Sequence, residues 1–463
     1  MKVKEVPFSW IPRSGHRLDV EPFVGGAVEA RLVLESLKGE AQPLHAVTAG
    51  GMSGIVHAGR IKRQWVEVPR YGTRFLSSTD ILRADLTHCS LISNKAVRSN
   101  PLLIIRKGWT LITRAGTVGR MAYSRPDMDG MACTEDVLRI VPDSAVILSG
   151  YLFAFLNSRY GIPMVTSGTY GAIIQHIEPE HVADLPVPRL GQEIEEEAHV
   201  LVERAAINRS KAAELRSQAL QELRASLDLP DMTGQGTPLT FSTFGTTAHA
   251  LGRLDAAYHS PPGAVAVAAL ERHPQTKLFA QVAQVFQTNI FKRPYVSDPQ
   301  YGYPYFSGAE LFTYDPPPRG YLRKRAPGID QYVVRRDWLL MQDAGQLGGL
   351  IGRVMRVTAS QDGGVVSNHL IRIVPETRAD AGYLFALLSS SVGYRAVVRN
   401  AFGSSIPQLE SAHLGQIRIP WPEDNLRERI ADPILASWDL EDDASERDRQ
   451  AVALVERAIK EAA

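Results

Sequence analysis

The most regular apolar pattern lies in residues 190–228, a stretch without Pro and with a single Gly near its start. Its apolar positions step alternately by three and four residues, which is the spacing of a coiled-coil seam. We therefore expect a long helix whose pairing surface includes Ile194, Leu201, Asn208 and Leu215. Asn208 is the polar member of the seam. It is either buried, where it would fix the register of the pairing, or solvated at a frayed edge.

Residues 423–463 are a second helix-rich stretch. Leu454, Val455 and Ile459 lie at helical spacing and are predicted to pair with the first long helix. Pro433 and a run of three acidic residues shortly after it interrupt the pattern. A kink or break is therefore expected before about residue 440.

The remaining stretches alternate between strand and short-helix patterns. The segments "LLIIRKGWTLITRAGTVGRMAYS" and "EDVLRIVP" predict strands joined by tight glycine turns. The segment "GYLFAFLNSRYGIPMV" has apolar residues at helical spacing and predicts one amphipathic helix that ends at Gly161. Residues 231–249 are rich in Gly and Thr and predict a linker. Together these elements indicate the α+β class.

These patterns occur twice. The segment "IKRQWVEVPRYGTRFLSSTDIL", which starts at Ile61, returns as "FKRPYVSDPQYGYPYFSGAELF", which starts at Phe291, at an offset of 230. In the same way "GYLFAFLNS" returns as "GYLFALLSS", and "LRIVP" returns as "IRIVP". This period exceeds the roughly 20–50 residues of solenoid repeats and matches a domain with its connector.

The duplication predicts two tandem mixed α/β modules related by pseudo-two-fold symmetry, each followed by a long helix. The expected boundaries are 1–189 and 229–422 for the modules, and 190–228 and 423–463 for the helices. Two helices that each follow one copy of a repeat are natural partners, and a two-fold relation between the copies makes them antiparallel. The predicted architecture therefore includes an antiparallel coiled coil.

Composition adds a charge pattern. The whole chain has a net charge of +1, but residues 1–189 carry 22 Lys and Arg against 17 Asp and Glu, and residues 229–420 carry 18 against 13. Both modules thus have the basic surplus that phosphate contacts require. Two cysteines in 463 residues favour a reducing compartment, and no apolar run is long enough to span a bilayer. We expect a soluble, cytoplasmic protein without a membrane partner.

The sequence contains no recognisable catalytic or metal-binding motif. Neither GxxxxGK[ST] nor HExxH occurs, and His and Cys residues are not paired at metal-ligand spacing. The segment "YDPPPRG" is similar to the catalytic tetrapeptide of amino-methyltransferases, but Pro318 stands where that motif needs an aromatic ring. The segment "FVGGAVEA" lacks the spacing of a glycine-rich cofactor turn. No catalytic residue, metal ligand or cofactor is therefore predicted for this chain.

The best candidates for nucleic-acid binding lie in and beside the repeated segments. A Lys-Arg pair followed by aromatic residues suits phosphates and sugars, while Arg and Gln suit bidentate reading of guanine and adenine. The alternative role for each residue is to satisfy a turn or form a surface ion pair. The candidates are Lys62, Arg63, Tyr71, Arg114, Thr117, Arg120, Thr169, Tyr170 and Gln175 in the first module, and Lys292, Arg293, Tyr301, Tyr303, Gln342, Gln346, Ser404, Ser405 and Gln408 in the second.

The order of these elements resembles the specificity subunit of type I restriction–modification systems over essentially the whole chain. In each module "FLSSTDIL" or "YFSGAELF" is followed by "GWTLITRAGTVGR" or "DWLLMQDAGQLGG", and then by the "GYLFA" helix. The copies differ where Asp343 and Gly349 replace Arg114 and Arg120. A role for arginine therefore does not carry over from one module to the other.

The resemblance implies a non-catalytic subunit. Its two target-recognition domains would each bind one half of a split DNA sequence, and its paired helices would set the spacer. The implied partners are double-stranded DNA, two methyltransferase subunits and, optionally, restriction subunits, with S-adenosylmethionine bound in the methyltransferase. Two alternatives stay open: the DNA-reading subunit of a phage-defence complex that does not methylate, and a scaffold that binds proteins.

Overall fold

The structure is a computed structural model with two compact units. Unit 1 consists of Met1–Ser210 and Asp443–Ala463, and unit 2 consists of Lys211–Asp442. Helices and several small sheets occur in both units, which confirms the predicted α+β class. From residue 234 onward, the predicted linker at 231–249 lies outside the described residues. The described residues are 4–13, 21–37, 39–115, 118–167, 176–233, 253, 258–403 and 405–463.

The strands of unit 1 are β1 (Ala41–Pro43), β2 (Ile55–Val56), β3 (Trp65–Val66), β4 (Gly72–Leu76), β5 (Leu91–Ser93), β6 (Thr110–Thr113), β7 (Met121–Tyr123), β8 (Ala132–Cys133), β9 (Val137–Ile140) and β10 (Pro186–Pro188). They form a core sheet in the order β2-β9-β6-β7, an outer sheet in the order β3-β5-β4-β8, and the pair β1-β10. In the outer sheet β4 and β8 are parallel, whereas the core sheet is antiparallel throughout.

The strands of unit 2 are β11 (Thr276–Leu278), β12 (Ala283–Phe286), β13 (Tyr295–Val296), β14 (Gly302–Phe306), β15 (Gly320–Arg323), β16 (Leu339–Gln342), β17 (Val354–Arg356), β18 (Val365–Val366), β19 (Leu370–Pro375) and β20 (Arg418–Pro420). Their core sheet has the order β12-β19-β16-β17, their outer sheet the order β13-β15-β14-β18, and β11 pairs with β20. Strand for strand this is the topology of unit 1, as expected of a duplicated sequence.

Helices cover the core sheets and continue beyond them. Unit 1 contains α1 (Trp10–Arg13), α2 (Glu21–Val24), α3 (Ala27–Glu35), α4 (Asn94–Ser99), α5 (Ser149–Leu156), α6 (Gly161–Ser167) and α7 (Pro179–Val182). The long helix α8 (Gln192–Ser226) begins in unit 1. Unit 2 contains α9 (Pro261–Glu271), α10 (Arg378–Ser389), α11 (Ser391–Val398) and α12 (Ser411–Gly415), followed by the long helix α13 (Asp424–Ala462). Among the described helices, none alone is long and apolar enough to cross a membrane, although the bent pair α10 and α11 together meets that test.

A buried arginine joins the outer sheet to the core sheet in each unit. Arg139 in β9 is fully buried, and its guanidinium donates to the carbonyl oxygens of Cys133 at 2.7 Å and Val137 at 2.6 Å. Arg372 in β19 takes the same position and donates to the carbonyl oxygens of Leu370 at 2.5 Å and, in the outer sheet, Val366 at 3.3 Å. Burial lowers the pKa of Arg372 to about 10. The repeated "RIVP" motif therefore marks the crossover between the two sheets.

The predicted helix ending at Gly161 is wrong, because Gly161 begins α6 instead. Helix α5 ends at Leu156, and the chain turns back so tightly that a Cβ on Gly161 would overlap the carbonyl oxygen of Phe155. Gly393 near the start of α11 meets Leu387 in the same way. Glycine is needed here for close approach rather than as a stop signal.

The predicted break in the C-terminal helix is also wrong, since α13 runs from Asp424 to Ala462 with Pro433 inside it. Proline removes one backbone hydrogen bond, but Ile430, Ile434 and Trp438 on the same helix are buried in the core of unit 2 and hold this segment in place. The acidic run at 441–443 does not interrupt the helix, because each of its side chains has a partner. Those partners are Arg216 for Glu441, Arg356 for Asp442 and Asn208 for Asp443.

In unit 1, parts of both long helices enter one hydrophobic core. Ala198, Val202 and Ala206 of α8 are buried there, as are the predicted pairing residues Leu454, Val455 and Ile459 of α13. Ile194 and Leu201 are half-buried and pack against this core. Asn208 is also half-buried, and its amide donates to Asp443 Oδ2 at 2.5 Å.

In unit 2, residues 211–226 of α8 and 424–442 of α13 share another core, which includes Ala219, Leu223 and Ile434. Arg216 forms an ion pair with Glu441, and Glu222 forms one with Arg429 at 2.9 Å. Rising residue numbers on α8 therefore meet falling numbers on α13, so these two segments are antiparallel. Leu215, another predicted pairing residue, is half-buried.

The most buried row on α8 lies one residue beyond each of the four predicted pairing positions, which are themselves half-buried. It includes Arg209 and Arg216, which lie one residue beyond Asn208 and Leu215. The pattern of apolar positions does not identify these arginines as buried, because arginine side chains are normally exposed. Both are buried here because they are paired, Arg209 with Asp448 at 2.6 Å and Arg216 with Glu441.

We expect Arg209→Met to lower the free energy of unfolding by about 3–5 kcal/mol, because it breaks the buried ion pair with Asp448. The double variant R209M/D448L should recover most of this loss. Lys211→Ala provides a control, since the Lys211–Glu214 pair on the surface of α8 is about half exposed and should contribute less than about 1 kcal/mol. Urea unfolding monitored by circular dichroism measures all three, and a loss below 1 kcal/mol for R209M would contradict the assignment.

Candidate nucleic-acid interface

One edge of the outer sheet in unit 1 carries exposed aromatic and basic side chains. Trp65 in β3 is 51% exposed, and Tyr71, at the end of a 3-10 turn, is 54% exposed. Lys62 and Arg63 precede β3 and are also exposed. Phosphate contacts use such cations, and exposed aromatic rings can pack against sugars and bases.

The local structure holds Tyr71 in a fixed position. Gly72 begins β4 directly after it, and a Cβ there would lie 2.6 Å from Val66 Cγ2, so glycine is required for the strands to pack. Asn94 donates its side-chain amide to the carbonyl oxygen of Arg70 at 3.2 Å, which ties the turn to the sheet. The guanidinium of Arg70 lies 4.5 Å from the centre of the Tyr71 ring. The tyrosine is thus presented on a rigid turn.

Unit 2 presents the same arrangement 230 positions later. Tyr295 in β13 is 53% exposed, and Tyr301, at the end of the turn Pro299–Tyr301, is 62% exposed. Lys292 and Arg293 precede β13 and are exposed. We call the two sets the basic–aromatic edges, formed by residues 62–71 in unit 1 and 292–301 in unit 2.

The turn in unit 2 is fixed by different side chains. Asp298 accepts from the backbone N–H of Gln300 at 3.0 Å, and Lys324 donates to the carbonyl oxygen of Gln300 at 3.1 Å. Tyr303, another predicted site residue, is half-buried, and its hydroxyl donates to Asp330 Oδ1 at 3.1 Å. The same backbone is therefore stabilised by different contacts in the two copies.

The two arginines that are predicted to bind DNA at these edges also contact other groups of the protein. Arg63 forms an ion pair with Glu135 at 3.1 Å. The guanidinium of Arg293 lies 5.3 Å from the centre of the Tyr305 ring. Lys62 and Lys292 extend from the same segments as exposed cations. The lysines are therefore better placed than the arginines to meet phosphates.

Sequence reasoning missed further cations beside these edges. Arg323, Lys324 and Arg325 are exposed at the end of β15, which runs between β13 and β14. In unit 1, Arg74 in β4 and Lys95 in α4 are exposed near the corresponding edge. The run of three basic residues was the available signal. This run has no equivalent in the first module, so the repeat does not reveal it.

A second cluster in unit 2 combines two loops. The backbone of Gln408 bridges to Ala344, and the side-chain amide of Gln346 donates to the carbonyl oxygen of Ser405 at 3.4 Å. The predicted residues Gln346, Ser405 and Gln408 are exposed together on these loops. Gln342 is half-buried and donates to the carbonyl oxygen of Ala344 at 3.2 Å. We call this pair of loops, 342–350 and 401–409, the unit 2 loop pair.

The equivalent loops of unit 1 are described only in part. His176 bridges to Ala115 through the backbone, which brings the two loops together as in unit 2. Arg120 is half-buried at the start of the strand that leaves the turn. The predicted residues Thr117, Thr169, Tyr170 and Gln175, and Ser404 of unit 2, lie outside the described residues.

Arg114 anchors these loops from within. It is buried, donates to the carbonyl oxygen of Ile177 at 3.0 Å, and forms an ion pair with Glu178. It also approaches the carbonyl oxygen of Glu135 at 3.4 Å, the residue that holds Arg63. The guanidinium therefore connects the segment at 177–178 to Glu135, and its donors point to protein acceptors rather than to solvent.

Unit 2 places the opposite charge at this position. Asp343 is buried and accepts from the side-chain amide of Gln287 at 3.0 Å, while His369 lies 3.4 Å away. Burial raises the pKa of Asp343 above its usual range, and His369 and Gln287 act against this effect. The loss of arginine in the second copy therefore changes how the loops are anchored.

We expect the stability of the chain to depend on the ionisation of Asp343. A carboxyl whose pKa is higher in the folded state adds stability at low pH, and this contribution is lost as pH rises through the folded-state pKa. Relative to Asp343→Asn, the natural chain should therefore lose stability as pH rises above about 4. Urea midpoints of both proteins between pH 4 and 7 test this, with the exposed Asp432→Asn as the control for removing one carboxylate. A natural chain that gains stability relative to Asp343→Asn as pH rises would contradict the assignment.

Comparison with known proteins finds no family model and no curated relative that matches this chain. Three solved structures related to type I restriction–modification systems are similar over most of its length. The S subunit from M. genitalium shares 11% identity at a TM-score of 0.34, covering 92% of this chain and 96% of that chain. The HsdS subunit from Thermoanaerobacter tengcongensis shares 15% identity at a TM-score of 0.27, covering 91% and 96%.

A chain from a structure on the complex assembly and conformational transition of the type I R-M system also shares 15% identity at a TM-score of 0.27, covering 91% of this chain and 98% of that chain. At these TM-scores the structural similarity does not indicate a function. The side chains described above are the basis for assigning one.

Proposed function

We propose that this chain is the DNA-recognition subunit of a type I restriction–modification complex and reads a split target in double-stranded DNA. The observation that carries the proposal is the repetition of the basic–aromatic edge. Two units with the same strand order expose Lys62, Trp65 and Tyr71 in one case, and Lys292, Tyr295 and Tyr301 in the other, at a constant offset of 230. Each unit would bind one half of the target.

Affinity and sequence choice would come from different parts of each unit. The edges supply cations for phosphates, which positions the duplex without reading it. The loops supply amide and hydroxyl groups that suit base edges in the major groove. Because the loops differ between the copies while the outer-sheet scaffold is shared, the two half-sites would have different sequences.

The long helices would form an antiparallel coiled coil on a pseudo-two-fold axis and set the distance between the half-sites. The domain boundaries would follow, with modules at 1–189 and 229–422 and helices at 190–228 and 423–463. The ion pairs Arg209–Asp448 in unit 1 and Arg216–Glu441 in unit 2 support this role. Buried polar pairs of this kind are best known for fixing helix register.

The chemistry would belong to the partners. Two methyltransferase subunits that modify the N6 amino group of adenine would bind this chain and carry S-adenosylmethionine, and restriction subunits would join the same complex. This chain would be non-catalytic and would act on DNA in the cytoplasm. The absence of recognisable cofactor and nuclease motifs in the sequence supports this division of labour.

The double variant K62A/K292A should bind duplex DNA with a weaker dependence on salt. Each lost phosphate contact reduces the slope of log K against log salt concentration by about 0.9, so the two together should reduce it by about 2. The slope is measured by fluorescence anisotropy with a random-sequence duplex at salt concentrations between 50 and 200 mM.

A charge-matched control is K211A/K460A, which removes two exposed lysines from the long helices. Its slope should equal that of the natural chain. Equal slopes for K62A/K292A and the natural chain, or an equal loss in the control, would contradict the placement of DNA on the basic–aromatic edges.

A further inference from the structure

Two large apolar side chains are exposed to solvent at the tips of the unit 2 loop pair. Leu347 is 53% exposed and Ile406 is 61% exposed. The loops that carry them are joined by the hydrogen bond from the Gln346 amide to Ser405, and by one from the N–H of Gly345 to the carbonyl oxygen of Pro407 at 3.1 Å. The two apolar tips therefore belong to one ordered surface.

The turn that carries Leu347 is longer than its counterpart in unit 1. Residues 343–353 connect β16 to β17, whereas residues 114–120 connect β6 to β7, which is 11 residues against seven. The counterpart of Val118 is Ile351, since each precedes the glycine whose N–H donates to the last residue of the preceding strand, and each packs in the core of its unit. Leu347 lies earlier in the longer turn, where its side chain is exposed and available to a ligand.

The neighbours of the two tips indicate what that ligand is. Gln346 and Gln408 are exposed beside them, and a glutamine amide matches the N6 and N7 groups of adenine in the major groove. The base paired with adenine is thymine, whose 5-methyl group is the apolar feature of that groove. An amide next to an exposed aliphatic side chain therefore complements both edges of an A·T pair.

We infer that Leu347 and Ile406 contact thymine 5-methyl groups in the half-site read by unit 2, and so determine part of its sequence. This inference rests on the proposed function and names the specificity-determining residues within it. The half-site of unit 2 would contain at least one thymine that is read through its methyl group rather than through hydrogen bonds.

The test replaces thymine by deoxyuridine, which lacks only the 5-methyl group. The target is first selected from a randomised duplex library with the full chain in complex with its methyltransferase. Duplexes are then made with deoxyuridine at single thymine positions. Burial of one methyl group corresponds to about 0.8 kcal/mol, so each methyl that is read should contribute about fourfold to affinity.

For the natural chain, deoxyuridine should weaken binding about fourfold at one or two positions of a single half-site. The double variant L347A/I406A should bind the thymine and deoxyuridine duplexes equally and with the affinity of the natural chain for deoxyuridine. Leu102→Ala is the matched control, because Leu102 is 52% exposed in unit 1 away from the loops. It should retain the full sensitivity to deoxyuridine.

Several results would overturn the inference while leaving the proposed function intact. These are a half-site without thymine, equal affinity for both duplexes, or deoxyuridine sensitivity that persists in L347A/I406A. Loss of methyltransferase binding in L347A/I406A, with DNA selectivity unchanged, would assign the tips to a protein contact instead. Failure to select any split target would refute the proposed function and the inference together.

Discussion

Each unit completes its hydrophobic core with segments of both long helices, and the rest of the structure depends on this sharing. Leu454, Val455 and Ile459, near the end of α13, are buried in unit 1 with residues of the first part of α8. Ala219 and Leu223, near the end of α8, are buried in unit 2 with residues of the first part of α13. Burial of a large aliphatic side chain stabilises the fold by about 1.5–3 kcal/mol. Neither core is therefore complete without a segment from each long helix.

Polar contacts then decide the register of that pairing. A seam of alanines and leucines could slide by a heptad with little change in buried area, because its positions are chemically alike. Arg209 and Arg216 cannot slide without leaving Asp448 and Glu441, and a buried charge without a partner is strongly destabilising. The two ion pairs therefore hold the helix segments in register, each within its own unit.

The sequence predicts the features that occur in both copies and those that follow from a long, regular spacing of apolar residues. The duplication, the α+β class and the two long helices belong to this group. It failed where a residue acts against its usual tendency. Pro433 is tolerated inside α13 because its helix is held by buried neighbours, and Gly161 begins a helix because two helices approach each other too closely for a side chain. Arg209 is buried because its counter-charge comes from a helix more than 200 residues away.

The exposed residues of the basic–aromatic edges could be found in the sequence because both copies repeat them, and their role in DNA binding stays a prediction. Arg114 is a predicted DNA-binding residue that Asp343 replaces in the second copy, but the structure places both side chains in buried positions that anchor the loops. Which partners a buried charge has is a property of the tertiary fold, and neither residue type nor spacing reveals it.

The most direct test of the account is to map N6-methyladenine by single-molecule sequencing after co-expression with the neighbouring methyltransferase. The natural chain is compared with one that carries seven extra residues in each long helix, between 210 and 211 and between 442 and 443, where the two units divide. The account predicts a split motif for the natural chain. For the longer chain it predicts the same two halves with a spacer longer by about three base pairs, since seven residues add about 10 Å of helix. An unsplit motif, or an unchanged spacer in the longer chain, would contradict it.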